Sequence, residues 1–271
     1  MIDAQWSTLP RGGTLDHAYG PNVHLLSDPW SLSVLARLCQ PDVVQPEVNR
    51  LVSRLYDHLL SAVAARELLT RPVEVPTRMA AQHPVAGVYR GEAIRRDQRV
   101  VVVDIARAGM LPSARVYESL HDVIDAAHLR QDHIVASRAT NAAHEVVGVQ
   151  LDGSKIGGPV DGATVLFPDP MAATGTSLCG VIQRYLQADG GRPRRIVSLH
   201  LVVTPEFLAR VARELPDLTV YAIRLDRGLS PPDVLATRPG TRWADERGLN
   251  ERQYIVPGAG GMGEVLNNAW V

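Results

Sequence analysis

The chain has 271 residues, 45% of them hydrophobic, and a formal net charge of −1 at pH 7. That is enough apolar material for one sizeable core, or a core with an extra lobe, and the near-zero charge argues against a nucleic-acid or acidic-lipid partner. The two cysteines, Cys39 and Cys179, cannot build a disulfide framework; with no leader-like opening and no run of about 18 apolar residues, a cytoplasmic protein without a membrane span is expected.

In chain order, residues 1–24 are rich in Gly, Pro and polar types and read as an N-terminal arm. A single domain is expected over 25–271. Apolar residues at helical spacing predict helices over 30–40 (Leu32, Leu35, Leu38) and 46–69 (Val48, Leu51, Val52, Leu55, Leu59, Val63). Residues 99–105 form a near-continuous apolar run, as expected of a central strand covered on both faces. A helix follows over 111–127, then a short strand over 133–137. Residues 140–162 are polar and Gly-rich, with Asp152-Gly153 as the turn of a hairpin. Strands over 164–167, 196–203 and 218–225 alternate with helices over 178–186 and 205–214. That alternation predicts an α/β protein with a parallel sheet.

The most informative stretch is 165–177, Val-Leu-Phe-Pro-Asp-Pro-Met-Ala-Ala-Thr-Gly-Thr-Ser. An apolar strand runs into Asp169, then a loop of small and hydroxylated residues, then a helix. The N–H groups of Ala172, Ala173, Thr174, Gly175, Thr176 and Ser177, with the positive end of the helix dipole, would cradle a phosphate. Asp169, at the strand's C-terminal end, would accept hydrogen bonds from ribose hydroxyls. The alternative is an ordinary strand–turn–helix. Arg107 closes the 99–105 strand on the same sheet edge, where its planar fork suits diphosphate oxygens; the alternative is a surface Arg at a strand end. No Walker loop, His-Glu-x-x-His, Cys-x-x-Cys or Gly-x-Ser-x-Gly occurs, so no protein-caged transition metal is expected. Residues 258–263 spell a dinucleotide fingerprint, but only eight residues follow Gly263, too few for the strand–helix–strand unit it requires.

Three segments in order resemble the uracil phosphoribosyltransferase family of the type I phosphoribosyltransferases. They are Arg107-Ala108-Gly109, the Asp169-Pro170-Met171 loop through Ala-Thr-Gly, and residues 249–260, Leu-Asn-Glu-Arg-Gln-Tyr-Ile-Val-Pro-Gly-Ala-Gly. The last is similar to the family's Leu-Asn-Glu-x-Gly-Tyr-Ile-x-Pro-Gly-x-Gly. The resemblance implies a parallel sheet flanked by helices, a flexible hairpin and a C-terminal base-binding hood over 245–271. It implies transfer of ribose 5-phosphate from phosphoribosyl diphosphate to a nucleobase, most simply uracil, with Mg²⁺ chelated by the substrate diphosphate, in a homodimer. Arg107, Arg138 and Asp169 would be catalytic. Asp169, Pro170, Met171 and residues 172–177 would hold the sugar phosphate. Tyr254, Ile255, Gly260, Gly261 and Met262 would line the base.

The chain departs from the family where the pattern Gly-Asp-Ala-Gly-Asp reads Gly260-Gly261-Met262-Gly263-Glu264. Extra residues over 229–243 precede the Leu-Asn-Glu motif. These departures leave open a different or larger acceptor, and a relative that senses nucleotides without turnover.

Overall fold

The computed structural model describes residues 13–140, 146–188 and 191–269. A short strand, β1 (Val23–Leu25), precedes α1 (Pro29–Leu38) and α2 (Glu47–Glu67). Asp28 caps α1 by accepting from Ser31 N at 2.9 Å, with proline at the first helical position. In α2 the stripe Val48, Leu51, Val52, Leu55, Leu59 and Val63 is buried, as its spacing predicts. A hairpin of β2 (Thr70–Pro76) and β3 (Val88–Ile94) follows, then β4 (Val100–Ala106), α3 (Met110–Leu120), β5 (Leu129–Thr140) and β6 (Val146–Lys155). The chain continues through β7 (Thr164–Pro168), β8 (Met171–Ala172), α4 (Thr176–Ala188), β9 (Arg195–Val203), α5 (Pro205–Glu214) and β10 (Leu218–Leu225). It ends with α6 (Pro232–Leu235) and α7 (Met262–Asn267).

The main sheet runs β1-β10-β9-β7-β4-β5-β6, with β8 also on β9. All pairings are parallel except β5 with β6, which adds an antiparallel edge to the expected parallel sheet. Alternate residues of β4 enter opposite cores: Val100 and Val102 meet α1–α3, and Val101 and Val103 meet α4 and α5. Helices therefore cover both faces. From β4 the chain crosses by α3 to β5 on one side; from β7 it crosses by α4 to β9 on the other. The gap between the C-terminal ends of β4 and β7 is thus a switch point, where open α/β sheets hold ligands.

Several elements differ from the sequence expectation. The helix expected over 111–127 stops at Leu120. Arg96 donates to the Asp122 carbonyl at 2.9 Å and to the Asp125 carboxylate at 2.8 Å, drawing the chain off the helix axis. Asp152-Gly153 is not a turn. Gly153 lies opposite Val135 and Leu151 opposite Ala136, so Asp152 is the extra residue of a bulge in β6. The β2–β3 hairpin stands off the sheet with most of its residues exposed, and Pro72 and Pro76 mask its strand pattern. Within the segment read as an arm, Leu15 and Tyr19 are buried, and Tyr19 meets Trp243 edge-to-face at 4.9 Å.

The extra residues wrap this N-terminal segment. The fully buried Arg227 donates to Glu246 at 2.7 Å and to the carbonyls of Leu235 and Thr237 at 3.2 and 2.8 Å. Tyr19 donates to the other oxygen of Glu246. Closing the loop around one buried ion pair satisfies carbonyls that the short α6 leaves open.

Candidate active site

The strand ends open on a cavity of about 400 Å³. From β4 come Arg107 and Ala108. The Ala106–Arg107 peptide is cis, and Gly109 sits so close behind that a Cβ there would lie 2.7 Å from Ile105 O and 3.1 Å from Pro168 O. Only glycine lets the two strand ends approach this closely. Among the described residues the exposed Arg107 guanidinium has no ion-pair partner.

From β7 comes Asp169. Its N–H donates to Leu199 O at 3.0 Å, and its carbonyl accepts from His200 Nδ1 at 2.6 Å. The Pro170 carbonyl takes the N–H groups of Leu201 and Val202 at 3.0 and 3.1 Å, so β9 anchors the bend on both sides. His200 is fully buried. Burial pushes its pKa down to about 4 against the raising effect of the Asp169 carbonyl, so at neutral pH it is an uncharged ring that donates through Nδ1. Beneath this bend the buried Tyr56 hydroxyl donates to Leu199 O at 3.1 Å; burial, and then the Asp169 charge, hold its pKa well above the usual phenol value.

Met171, Ala172, Ala173, Thr174, Gly175 and Ser177 line the cavity beside Asp169. Gly175 has φ +75°, and a Cβ there would stand 2.9 Å from Phe207 Cδ2. Thr174 Oγ1 accepts from Thr176 N at 3.3 Å, and the Gly175 carbonyl takes the first bond of α4, from Cys179 N at 2.9 Å. Pro170 and Thr176, although within the predicted loop, do not line the cavity: Pro170 is buried against β9, and the Thr176 hydroxyl is engaged with Thr174 at 3.2 Å. Arg138 lies in β5 opposite Val149, and its side chain is outside the described residues.

The far wall is the C-terminal segment, with Tyr254, Ile255, Gly260, Gly261 and Met262. It has little regular structure and is held by side chains. Asn250 Oδ1 accepts from Arg252 N and Tyr254 N at 3.0 and 2.9 Å. Glu206 accepts from Gly248 N at 2.9 Å and Leu249 N at 3.2 Å. The buried Asp226 accepts from Gly258 N at 2.7 Å, while Arg224, paired with Asp226 at 2.6 Å, donates to Gly258 O at 3.0 Å. Met262 is buried in the α1–α3 core as well as facing the cavity. The Glu264 side chain folds over Gly261, into space that a side chain at 261 would fill.

Residues 229–243, read from sequence as a possible change to the acceptor site, do not line this cavity. Phe207, Arg252, Gln253 and Glu264 do, without having been singled out as site residues. Arg252 and Gln253 sit inside the recognised Leu-Asn-Glu motif, so their neighbourhood was legible; Phe207, on α5, carries no local signal.

This arrangement defines the class. A mostly parallel sheet with helices on both faces, an acid and a small-residue loop at its switch point, and a C-terminal wall over them make a type I phosphoribosyltransferase-like fold. The chain superimposes on the AQ2163 protein from Aquifex aeolicus with a TM-score of 0.67, covering 92% of this chain and 99% of that one at 21% identity. The family model for uracil phosphoribosyltransferase matches residues 26–242, and the chain belongs to that family. A uracil phosphoribosyltransferase of Kocuria rhizophila is 30% identical over 244 residues, covering 90% of this chain and 97% of the relative. Another, of Thermococcus gammatolerans, is 27% identical over 175 residues, which span 65% of this chain and 64% of that relative's length.

Proposed function

We propose that the protein transfers the phosphoribosyl group of phosphoribosyl diphosphate to a ring nitrogen of a nucleobase, most simply uracil. The bond from ribose carbon 1 to the diphosphate oxygen breaks, a carbon–nitrogen bond forms as the ring nitrogen gives up its proton to the medium, and diphosphate leaves with the bonding electron pair. The observation that carries this reading is the convergence of Arg107, Asp169, residues 172–175 with Ser177, and Tyr254, Ile255 and Gly260–Met262 on one cavity. The loop N–H groups and the α4 dipole would take the 5-phosphate. Asp169 would orient the ribose by accepting from its hydroxyls. Carbon 1 develops oxocarbenium character as the diphosphate gains charge. Arg107, with Arg138 assigned by family resemblance, would stabilise that charge, an effect worth several kcal/mol in a preorganised site. The base would stand between Tyr254, Ile255 and Gly260–Met262, where rigid backbone groups suit the alternating donors and acceptors of a pyrimidine edge.

A Mg²⁺ bound to the diphosphate would neutralise part of its charge. The carboxylates of Asp169 and Glu264, both lining the cavity, fit a hard cation that prefers oxygen. A homodimer is part of the proposal. It is supported by the β2–β3 hairpin, which exposes Val75, Met79, Val85 and Tyr89 at 50–77%. A cytoplasmic location is supported by the free thiols of Cys39 and Cys179.

A second reading keeps the chemistry and changes the acceptor. The bare Gly261 and the Glu264 side chain over it favour this reading, because they alter the polar groups beside the base. Diphosphate release measured with a panel of bases separates the two: ordinary turnover with uracil removes the second. For the site itself, Asp169→Asn and Arg107→Ala are each expected to lower kcat at least tenfold with an unchanged melting temperature. Wild-type kinetics in both would contradict the assignment.

A further inference from the structure

The loop after β7 has its carbonyls tied from behind. Thr204 Oγ1 donates to Ala173 O at 2.6 Å, and Arg210 Nε donates to Thr174 O at 2.8 Å. The donors are the N-cap of α5 and a residue in its middle, more than thirty residues along the chain. The Thr204 hydroxyl also accepts from Phe207 N at 3.0 Å, so it is committed on both sides. Arg210 also pairs with Glu214 at 2.9 Å, an oxygen it shares with Arg213, so its side chain is held along α5 with Nε–H directed at the loop. Gly175 lies against Phe207 and Arg210, so α5 backs the whole bend.

In a peptide plane the N–H points opposite to the carbonyl. Tying back Ala173 O turns the Thr174 N–H away from α5, and tying back Thr174 O does the same for the Gly175 N–H. Both residues line the cavity, and among the described residues neither N–H has a hydrogen-bond partner. A carbonyl swung into the same space would repel an anion, so the two ties select which end of each peptide dipole a ligand meets.

We infer that Thr204 and Arg210 are positioning residues for the phosphate end of the sugar donor: they act through the peptides of Ala173 and Thr174, without touching the ligand. This rests on the proposed function and deepens it, because it names what makes the loop select a phosphate dianion.

The test is steady-state kinetics and ribose 5-phosphate calorimetry on the full chain. Thr204→Val and Arg210→Met remove the ties; Thr204→Ser and Arg210→Lys each keep a donor. The two removing variants are expected to raise the KM for phosphoribosyl diphosphate, and the Kd for ribose 5-phosphate, at least fivefold. The KM for uracil stays within twofold, and the conservative variants return towards wild type. Thr204→Val also loses the α5 cap; if it does not fold, Arg210→Met, at a partly exposed position, decides. Unmoved donor constants in Arg210→Met, or donor and acceptor constants rising together, overturn the inference. A wild-type protein that binds no ribose 5-phosphate and releases no diphosphate instead sinks the proposed function.

Discussion

The two walls of the cavity are built on different principles. The side we assign to the phosphate, residues 169–177, is a strand end, a short loop and a helix start: Gly175 at φ +75° and the Thr174 hydroxyl accepting from Thr176 N are local features, and Thr204 and Arg210 tie its carbonyls from behind. The side proposed for the acceptor, residues 248–264, has little regular structure before α7 and is suspended from distant side chains, Glu206, Arg224 and Asp226. It also carries the departures from the family pattern, Gly261, Met262 and Glu264. In the proposed function this loop, contiguous in sequence, takes the group that every phosphoribosyl donor carries. A wall held by long-range bonds can be rebuilt for another acceptor while the loop stays as it is.

The sharpest way to break this comparison is at Asp226. Asp226→Ala leaves the largely buried Arg224 without its counter-charge and Gly258 N–H without an acceptor, a loss of roughly 3–5 kcal/mol for a broken buried pair. Thermal denaturation should show that loss, and in the folded fraction the KM for the base should rise more than the KM for the donor. Equal rises would mean that the two walls are not independent.

The second test uses pH. His200 falls to about 4 from an ordinary 6.5 because it is buried, so between those values the unfolded chain binds a proton that the native ring does not. Stability should therefore be fully present above about pH 6.5 and fall as pH drops towards 4, by roughly 3 kcal/mol. Urea unfolding at intervals from pH 7 to 4 checks this. His200→Asn, which keeps an N–H donor near the Asp169 carbonyl, should flatten that slope; an unaltered slope would place the proton elsewhere.

The smallest expected effect is at Gly175. Gly175→Ala puts a Cβ 2.9 Å from Phe207 at positive φ, a strain of about 1–3 kcal/mol. Donor KM should rise while the base KM holds. A variant that binds donor as wild type does would show that the loop tolerates displacement, and would blur the contrast with the acceptor wall.

What was legible in sequence follows the same division. The bounds expected for α5 and β10 agree with the structure, because Pro205 at a helix start and the near-continuous apolar run of β10 are local signals. The β2–β3 hairpin escaped because both its faces meet solvent, which removes the apolar rhythm on which strand reading depends. The Asp152-Gly153 turn was misplaced because pairing along the length of β5 recruits those residues into a strand, and a bulge absorbs the extra one. Phe207, Thr204 and Arg210 were missed because nothing in residues 204–210 says which loop they will meet.

By itself the sequence determined the class of fold and the place of the strand–acid–small-residue loop–helix succession, since each of these is a local signal. Only the tertiary structure decided which carbonyls are tied away from the cavity, where the extra residues lie, and how the acceptor wall hangs from Asp226 and Glu206. Those are bonds between groups far apart in the chain, and no local pattern of residues encodes their pairing.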